Sequence, residues 1–536
     1  MDMEKRTLLA IVISIVIMLG WYQFVAPPAK QNTNKTTKAS AQQPAAVQTP
    51  AVLNAAPATG VTTPAPVAAA AAKRITVETP LYIATFDSKG ASLTSLKLKR
   101  YRQTMAKESA LVDLIKTPMP HVSLNGFDDR TAVFATNAPE NLEVKAGVSE
   151  ISFETLLPSG LRLRKVYSLN AKDYLLGFRT EYVNAGAAAL KLDPQIGVMA
   201  SYPLSEKTSR YYFEGPVVLK NGKELAELKL KSLKEIGLNR DHQGAVNWFG
   251  YEDKYFLQAL IVDKPVAANV QVSRSDDRYV ASTYTTKTFN LGQGQQAAQS
   301  FHLFVGPKEW TTLKQSGYSL KKALSFGSFI DIFAKPLLVS MNWINTYVNS
   351  YGWSIIILTF FIKLLLYPLS LKSFKSMKEL QKVQPIMKEL QEKYKDDRQR
   401  LNQEMMQLYQ THQINPMGGC LPLLLQMPIL FALYRVFYAA IELRHVPFHV
   451  FGTWLPDLST KDPYYILPVL MTVTMFIQQK MTPTAGDATQ QKIMLYTMPL
   501  MMLLISYNLP SGLILYWFVS NILSIAQQAW INRVHA

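Results

Sequence analysis

The chain has 536 residues, of which 48% are hydrophobic and 18% charged, and its formal net charge is +18. Apolar runs of about 20 residues, long enough to cross a bilayer, crowd the C-terminal third, whereas the middle is polar. The single cysteine, Cys420, excludes an internal disulfide framework. Because no zinc-ligand spacing or base-reading module accompanies the positive charge, we expect an anionic membrane surface rather than specific nucleic acid as its partner.

The N-terminal segment predicts a membrane anchor. Lys5 and Arg6 precede an apolar run over residues 8–25. A cleaved signal peptide is the alternative, but its apolar region usually spans only about 7–15 residues. We therefore expect an anchor over residues 1–25 with its N-terminus in the cytoplasm. Residues 26–72, rich in Ala, Pro, Thr and Gln, predict a disordered linker, because they cannot bury enough apolar surface to fold.

Alternating apolar and polar residues predict a β domain over residues 73–310. The predicted strands are 75–77, 161–167, 174–183, 270–274, 279–289 and 301–305. Asn221-Gly222 supplies a turn signal between them. We expect an antiparallel sandwich on the outer side of the membrane, because it follows an anchor that starts in the cytoplasm.

The C-terminal part predicts helices. Residues 311–350 mix charges with apolar side chains, which is typical of an amphipathic helix lying in the membrane interface. The predicted spans are 351–372, 418–441, 464–480, 493–509 and 513–531, connected by a hairpin at 373–417, an outer loop at 442–463 and an inner loop at 481–492. With the anchor, about six spans define a polytopic α-helical membrane protein.

The segment at 373–417 predicts a cytoplasmic hairpin of two helices, broken near Lys395. Its many lysines and arginines contrast with the loop at 442–463, which has only Arg444 and Lys461, and positive charge favours the cytoplasmic side. An apolar seam runs along the hairpin. Packing of the two arms against each other is the simplest explanation of that seam.

Lys363 is the most informative residue of the spans. It lies ten residues after Trp353 and eight before Leu371, in the middle of the span at 351–372. A charge at this depth costs about 2.5–3.5 kcal/mol on insertion scales. A buried acid would be the ordinary partner, but the other spans have no Asp or Glu deep inside them. We therefore expect a hydrated cavity around Lys363.

Polar side chains on the spans extend this pattern. They are Thr359, Gln426, Thr472, Thr474, Gln478, Ser506, Asn508, Ser520, Asn521, Ser524 and Gln527. Each by itself is more often a helix-packing residue than a site, but together with Lys363 they predict a polar groove. The chain has no phosphate-binding glycine loop, metalloprotease helix or nucleophile motif, so we expect neither enzymatic activity nor a cofactor or metal.

Six short motifs occur in order along the C-terminal part. They are Tyr-Pro-Leu at 367–369, Asn-Pro-Met-Gly-Gly-Cys at 415–420, the segment 422–428 with Gln426, Asp-Pro-Tyr-Tyr-Ile-Leu-Pro at 462–468, Gln-Gln-Lys-Ile-Met at 490–494 and Pro-Ser-Gly-Leu at 510–513. Their order and spacing resemble the YidC/Oxa/Alb family of membrane protein insertases. The anchor, linker and outer β domain resemble its Gram-negative form, in which that domain is a periplasmic β-super-sandwich.

The resemblance implies a function and a site. Five C-terminal spans would form an insertase core around a groove that is open to the cytoplasm and to lipid and closed outward. The implied groove residues are Lys363, Thr359, Gln426, Ser506, Asn508, Tyr516, Trp517 and Ser520. The hairpin would receive substrates through Met377, Met387, Met405 and Met406, since methionine adapts to variable apolar partners. The implied partners are nascent membrane proteins, the Sec translocon, the ribosome, the signal recognition pathway and membrane lipids, in the bacterial inner membrane.

Two departures from the family pattern and two alternatives accompany this interpretation. The family's groove cation is typically arginine, whereas a lysine stays charged only while the groove is wet. Tyr516-Trp517 stands where paired tyrosines are common in the family.

A secondary transporter using Lys363 would predict internal repeats, which the sequence does not show. A purely structural assembly factor would not need a hydrated charge inside the membrane.

Overall fold

The computed structural model describes residues 72–201, 212–228, 240–274, 279–285, 288–327, 329–395, 397–412, 421–449, 454–482 and 488–534. The predicted anchor at 1–25, the linker up to residue 71 and the motif at 415–420 lie outside these ranges. Within them, a domain of strands precedes a region of helices.

The strands form two large sheets and one small one. Their bounds are β1 (Arg74–Glu78), β2 (Tyr82–Asp87), β3 (Ser92–Arg102), β4 (Leu111–Asp113), β5 (His121–Leu124), β6 (Phe127–Asp128), β7 (Asn141–Glu143), β8 (Val148–Leu156), β9 (Leu161–Asn170), β10 (Leu175–Asn184), β11 (Leu190–Leu192), β12 (Pro194–Ser201), β13 (Gly215–Lys220), β14 (Glu224–Glu227), β15 (Arg240–Glu252), β16 (Phe256–Val262), β17 (Ala267–Arg274), β18 (Tyr279–Thr285), β19 (Phe289–Leu291) and β20 (Gln296–Pro307).

The five-stranded sheet has the order β4-β3-β2-β1-β7. The 13-stranded sheet has the main order β6-β5-β12-β18-β17-β15-β16-β20-β10-β9-β8. Strand β13 pairs with β15 and β14 with β13, while β11 and β19 form the small sheet. Among the described strands, the β1–β7 pair is parallel, which is an exception to the predicted antiparallel arrangement.

The two large sheets face each other across an aromatic core. Phe86 of β2 lies against Tyr167 of β9, with ring centroids 4.8 Å apart. Phe153 and Phe178 pack on the same tyrosine. The Tyr167 hydroxyl donates to the Ala91 carbonyl at 2.7 Å, so this buried polar group has a partner. These contacts define a sandwich, because residues of both sheets fill one core.

The alternating pattern correctly predicted five of the six strands, which correspond to β1, β9, β10, β17 and β20, although the prediction at 174–183 begins one residue before β10. In β10, for example, buried and more exposed residues alternate along the strand. The prediction of one strand over 279–289 is wrong. Strand β18 ends at Thr285 and pairs with β12 and β17, whereas β19 begins at Phe289 and pairs with β11. The two halves belong to different sheets, which the alternation of apolar and polar residues alone does not reveal.

The helices follow β20. Their bounds are α1 (Trp310–Ser316), α2 (Asp331–Val348), α3 (Tyr351–Lys382), α4 (Gln384–Lys393), α5 (Arg398–Thr411), α6 (Leu421–Ala439), α7 (Ile466–Met481), α8 (Ala488–Ser506) and α9 (Ser511–Val534). Among the described helices, α3 alone is both long and apolar enough to cross a membrane, and α7 and part of α8 are shorter apolar helices. The count of about six spans stays a prediction.

Residues 311–350 do not form one helix, contrary to the prediction. Gly317 and Ser319 have φ angles of 75° and 58°, which end α1 and prevent a continuous helix. The amphipathic segment is α2, which begins at Asp331. Its outward side chains include Ile332, Trp343 and Tyr347, which are 65%, 60% and 71% exposed.

The hairpin has its own small core. Leu380, Val383 and Met387 are buried together, and Met405 and Leu408 pack against them. Helix α3 continues to Lys382, ten residues beyond the predicted end of its span at 372, and forms part of the first arm. The predicted break near Lys395 is confirmed between α4 and α5. The apolar seam thus packs the two arms, as the simplest explanation required.

Candidate functional site

Helices α3 and α9 bring Lys363 and Ser524 together. The Lys363 Nζ donates a hydrogen bond to the Ser524 Oγ at 2.7 Å. The Ser524 hydroxyl donates in turn to the Ser520 carbonyl at 2.9 Å, one helical turn earlier. The ammonium therefore has a neutral partner, and two of its three hydrogens remain for other acceptors.

Within the described part of the chain, Lys363 forms no ion pair. The ion pairs there lie in the sandwich domain or, for Lys335 and Asp331, within α2. A lysine neutralised by a buried acid, which was the ordinary explanation, does not describe this site. A cation without a counter-ion normally faces water or a ligand, because its desolvation is otherwise uncompensated.

Lys363 lines an open cleft of about 310 Å³ between α3 and α9. The other lining residues are Phe360, Leu364, Tyr367, Leu523, Gln527 and Trp530. Phe360, Leu364 and Trp530 are each more than half exposed. Such an apolar rim suits contact with lipid tails or with an apolar segment of another chain. The rings of Tyr367 and Trp530 lie 6.4 Å apart at one end of the cleft.

Of the eight predicted groove residues, Lys363 alone lines this cleft. Thr359 and Tyr516 are 0% and 1% exposed. The Thr359 hydroxyl donates to the Ile355 carbonyl of its own helix at 2.6 Å. The Gln426 amide donates to the Tyr516 hydroxyl at 3.4 Å and so connects α6 with α9. Gln426 and Tyr516 therefore join two helices, whereas Thr359 is satisfied within its own helix.

The remaining predicted groove residues occupy different surroundings. Ser520 is 2% exposed, and Trp517 is partly buried against the core. Ser506 ends α8, and Asn508 lies exposed in the turn that follows. The next helix begins at Ser511, so Ser524 is 13 residues further along it, or about 20 Å at 1.5 Å per residue. The structure does not bring Ser506 and Asn508 to Lys363.

The end of α9 that is distant from Ser524 is covered by the loop at 442–463. The Ser511 amide donates to the Thr460 carbonyl at 2.7 Å, and the Gly512 amide donates to the Leu458 carbonyl at 3.0 Å. Phe448 is 3% exposed and packs so closely on Gly352 that an added Cβ would lie 2.0 Å from its ring. This packing closes one end of the helical region.

The predicted hairpin residues divide into two kinds. Met387 is 7% exposed in the hairpin core, and Met377 and Met405 are partly buried. Met406 is 58% exposed. Of the four methionines, Met406 therefore offers the most free apolar surface for a partner.

Two parts of the site were not singled out from the sequence. Ser524 and Gln527 were only members of a longer set of polar residues, although their spacing of three places them on one face of α9. Glu442 accepts hydrogen bonds from the Trp310 backbone amide at 3.1 Å and from Asn342 at 3.3 Å. It joins the start of α1 to the end of α6, and no local pattern indicates such a long-range junction.

A sandwich domain followed by an apolar helical region with a cation at mid-helix is typical of α-helical membrane proteins with a large extramembrane β domain. Family comparisons agree with this division. The model of the YidC periplasmic domain matches residues 74–340, and that of the 60Kd inner membrane protein matches residues 343–536.

Two relatives match almost the whole chain. Membrane protein insertase YidC of Geobacter sulfurreducens is 40% identical over 540 residues, covering 99% of this chain and 98% of the relative. That of Syntrophus aciditrophicus is 38% identical, covering 99% and 100%. A crystal structure of an active YidC insertase with its first transmembrane domain resolved covers 85% of this chain and 92% of its own, at 20% identity and a TM-score of 0.35. The chain belongs to the YidC family of membrane protein insertases.

Proposed function

We propose that this protein inserts nascent membrane proteins into the bacterial inner membrane and assists their folding there. The observation that carries the proposal is Lys363, a cation that lines an open cleft and has no carboxylate partner among the described residues. The names of the relatives support it, because both are membrane protein insertases. No covalent chemistry is required.

The cleft suits a substrate with a polar tail and an apolar segment. The tail reaches Lys363, while the apolar segment contacts the exposed rim of Phe360 and Leu364 and passes into lipid. Burying apolar surface contributes about 25 cal/mol per Å². The membrane potential adds about 2.3 kcal/mol per charge per 100 mV for an acidic tail that moves outward.

The described packing supports a groove that is closed outward. Phe448, Leu455 and Leu458 are all buried where the loop at 442–463 covers the start of α3 and α9. Gln426 and Tyr516, which are bonded to each other, then hold α6 and α9 together. The polar tail crosses the remaining outer half of the membrane as its apolar segment leaves sideways.

We place both termini and the hairpin in the cytoplasm and the sandwich domain in the periplasm, with about six spans. The exposed apolar face of α2 lies in the outer interface. Met406 and the neighbouring hairpin surface receive the substrate. The Sec translocon, the ribosome and the signal recognition pathway are the partners that this arrangement serves.

The decisive experiment is site-specific crosslinking during translation. A photo-crosslinking amino acid replaces Phe360, which lines the cleft, or Thr359, which is fully buried and serves as the matched control. The substrate is a small single-span protein with an acidic outer tail. We expect adducts to the nascent span at Phe360 and few at Thr359. Equal labelling of both positions, or labelling by a small solute alone, contradicts the proposal.

The charge of Lys363 is tested separately. Lys363→Arg keeps the cation and should keep insertion of acidic-tailed substrates, whereas Lys363→Glu should lose these substrates before neutral ones. Insertion is measured as protease protection of the tail in vesicles. Equal activity of both variants with all substrates would exclude electrostatic attraction.

A further inference from the structure

Gln527 is a polar side chain of the cleft whose amide nitrogen is not used in helix packing. It lies on α9 one turn after Ser524, the residue that binds Lys363. Its side-chain Nε2 is buried, and no described residue accepts a hydrogen bond from it. An unpaired buried amide donor costs about 1–3 kcal/mol, so a partner is expected at this position.

The next residue provides a contrast. Gln528 is 1% exposed; its Nε2 donates to the Met481 carbonyl, and its Oε1 accepts from the Thr482 hydroxyl at 3.2 Å. Gln528 therefore fixes α9 to the end of α7 and is fully explained by helix packing. Gln527 faces the cleft instead.

Three side chains of the cleft can donate hydrogen bonds to a ligand. Lys363 has two hydrogens left after its bond to Ser524, Gln527 has its unpaired Nε2, and the indole of Trp530 can only donate. A ligand that satisfies these groups must bring acceptors. A carboxylate brings two acceptor oxygens and a negative charge for the ammonium, which a neutral amide or a hydroxyl does not.

We propose that Gln527 is a specificity-determining residue that binds substrate together with Lys363. The two side chains hold one carboxylate of the substrate tail, Lys363 through its charge and Gln527 through its amide donor. The inference rests on the proposed function and adds its substrate class: tails are selected by an aspartate or glutamate side chain at this point, not by net negative charge along their length.

The test compares two tails that differ by one atom type. The full chain is reconstituted in vesicles with a single-span substrate whose outer tail carries one Asp or, as its near-isostere, one Asn. The ratio of Asp-tail to Asn-tail insertion is measured. Gln527→Met keeps the side-chain size and removes the donor, so the ratio should fall about tenfold or more, the loss expected for one hydrogen bond to a charged group.

Two further variants make the result interpretable. Gln528→Met removes the neighbouring amide and should lower the thermal unfolding temperature while leaving the ratio unchanged. Gln527→Glu adds a negative charge beside Lys363 and should lower the ratio further, which also tests the idea if Gln527→Met folds poorly. An unchanged ratio in correctly folded Gln527→Met and Gln527→Glu overturns the inference and leaves water as the partner of the amide.

The proposed function can fail independently. If Lys363→Met also leaves the ratio unchanged, electrostatic attraction at the cleft is wrong altogether. If Lys363→Met abolishes the preference for Asp while both Gln527 variants retain it, the function holds and the role of Gln527 alone is rejected.

Discussion

The sandwich domain and the helical region each bury a lysine, and they treat it in opposite ways. Lys165 is 0% exposed and forms an ion pair with Asp129, which is also 0% exposed. Its Nζ donates further to the Gly90 carbonyl at 2.7 Å and lies 5.5 Å from the ring centroid of Phe134. Lys363, in contrast, has the Ser524 hydroxyl as its hydrogen-bond partner and lines an open cleft.

The difference separates a structural cation from an available one. Burial raises the pKa of the Asp129 carboxyl and lowers that of the Lys165 ammonium, while their mutual attraction opposes both shifts. The Lys165 ammonium has three partners within the domain, namely Asp129 and the Gly90 and Pro120 carbonyls, so this cation is not available to a ligand. At Lys363 the compensating acceptor has to come from outside the described chain, which is what a binding site requires.

The largest expected effect on stability comes from breaking the ion pair between Lys165 and Asp129. Lys165→Met leaves the Asp129 carboxylate buried without its cation, so the free energy of unfolding of the sandwich should fall by about 3–5 kcal/mol. Urea unfolding of the full chain, followed by the fluorescence of buried Trp248, measures it. The double variant Lys165→Met/Asp129→Leu should recover only part of the loss, because the Val122 amide then loses its acceptor on Asp129. An unchanged free energy of unfolding in Lys165→Met would show that Lys165 is not a structural cation and would refute its contrast with Lys363.

Two hairpin methionines extend the comparison to apolar side chains. Met387→Ala removes a buried side chain and should destabilise the hairpin by about 2 kcal/mol, whereas Met406→Ala should change its stability by less than about 0.5 kcal/mol. Limited proteolysis between α4 and α5 measures hairpin stability. Crosslinking to a nascent apolar segment should decrease with Met406→Ala. If Met406→Ala opens the hairpin as much as Met387→Ala does, the assignment of Met406 to substrate contact rather than to the hairpin core is wrong.

Glu442 is a buried acid without a cation and predicts a pH effect at the junction of α1, α2 and α6. Burial raises its pKa from 4.5 to about 6, and the nearby Glu309 adds to the shift. The folded state therefore favours the protonated form. The resulting stability, about 2 kcal/mol at 1.36 kcal/mol per pKa unit, is fully present below about pH 4.5 and is lost as the pH rises through about 6.

The variant Glu442→Gln isolates this contribution, since it stays neutral at every pH. The difference in unfolding free energy between wild type and Glu442→Gln should change by about 2 kcal/mol between pH 4.5 and pH 7.5. The wild type should become less stable relative to the variant at the higher pH. Glu224→Gln, whose side chain is exposed, is the control and should show no such change. A difference that is constant with pH would mean that Glu442 does not titrate in this range.

The smallest expected effect on stability is at Lys363. Lys363→Met removes a charge that has no acid partner among the described residues, so the thermal unfolding temperature should stay equal or rise, in contrast to Lys165→Met. Insertion of acidic-tailed substrates should be lost at the same time. A loss of stability comparable to that of Lys165→Met would show that Lys363 is structural after all.

Local patterns were sufficient for the order and type of most elements. Alternation in β10 and the helical period through α3 are read from neighbouring residues, because side-chain direction repeats every two residues in a strand and every 3.6 in a helix. The cost of Lys363 was also visible in the sequence, since the apolar run around it is uninterrupted. The strand at 279–289 shows the limit, because its two halves join different sheets.

What the sequence by itself determined was therefore a β domain, an apolar helical region and an unusual cation at mid-helix. Only the tertiary structure decided that Asp129 meets Lys165 and that Ser524 accepts a hydrogen bond from Lys363. It also decided that Gln527 lines the same cleft as Lys363, whereas Ser506 and Asn508 do not. The physical reason is that periodicity fixes which residues share a face, whereas the partner of that face depends on long-range packing. Asp129 and Lys165 are 36 residues apart in sequence, and Lys363 and Ser524 are 161 apart.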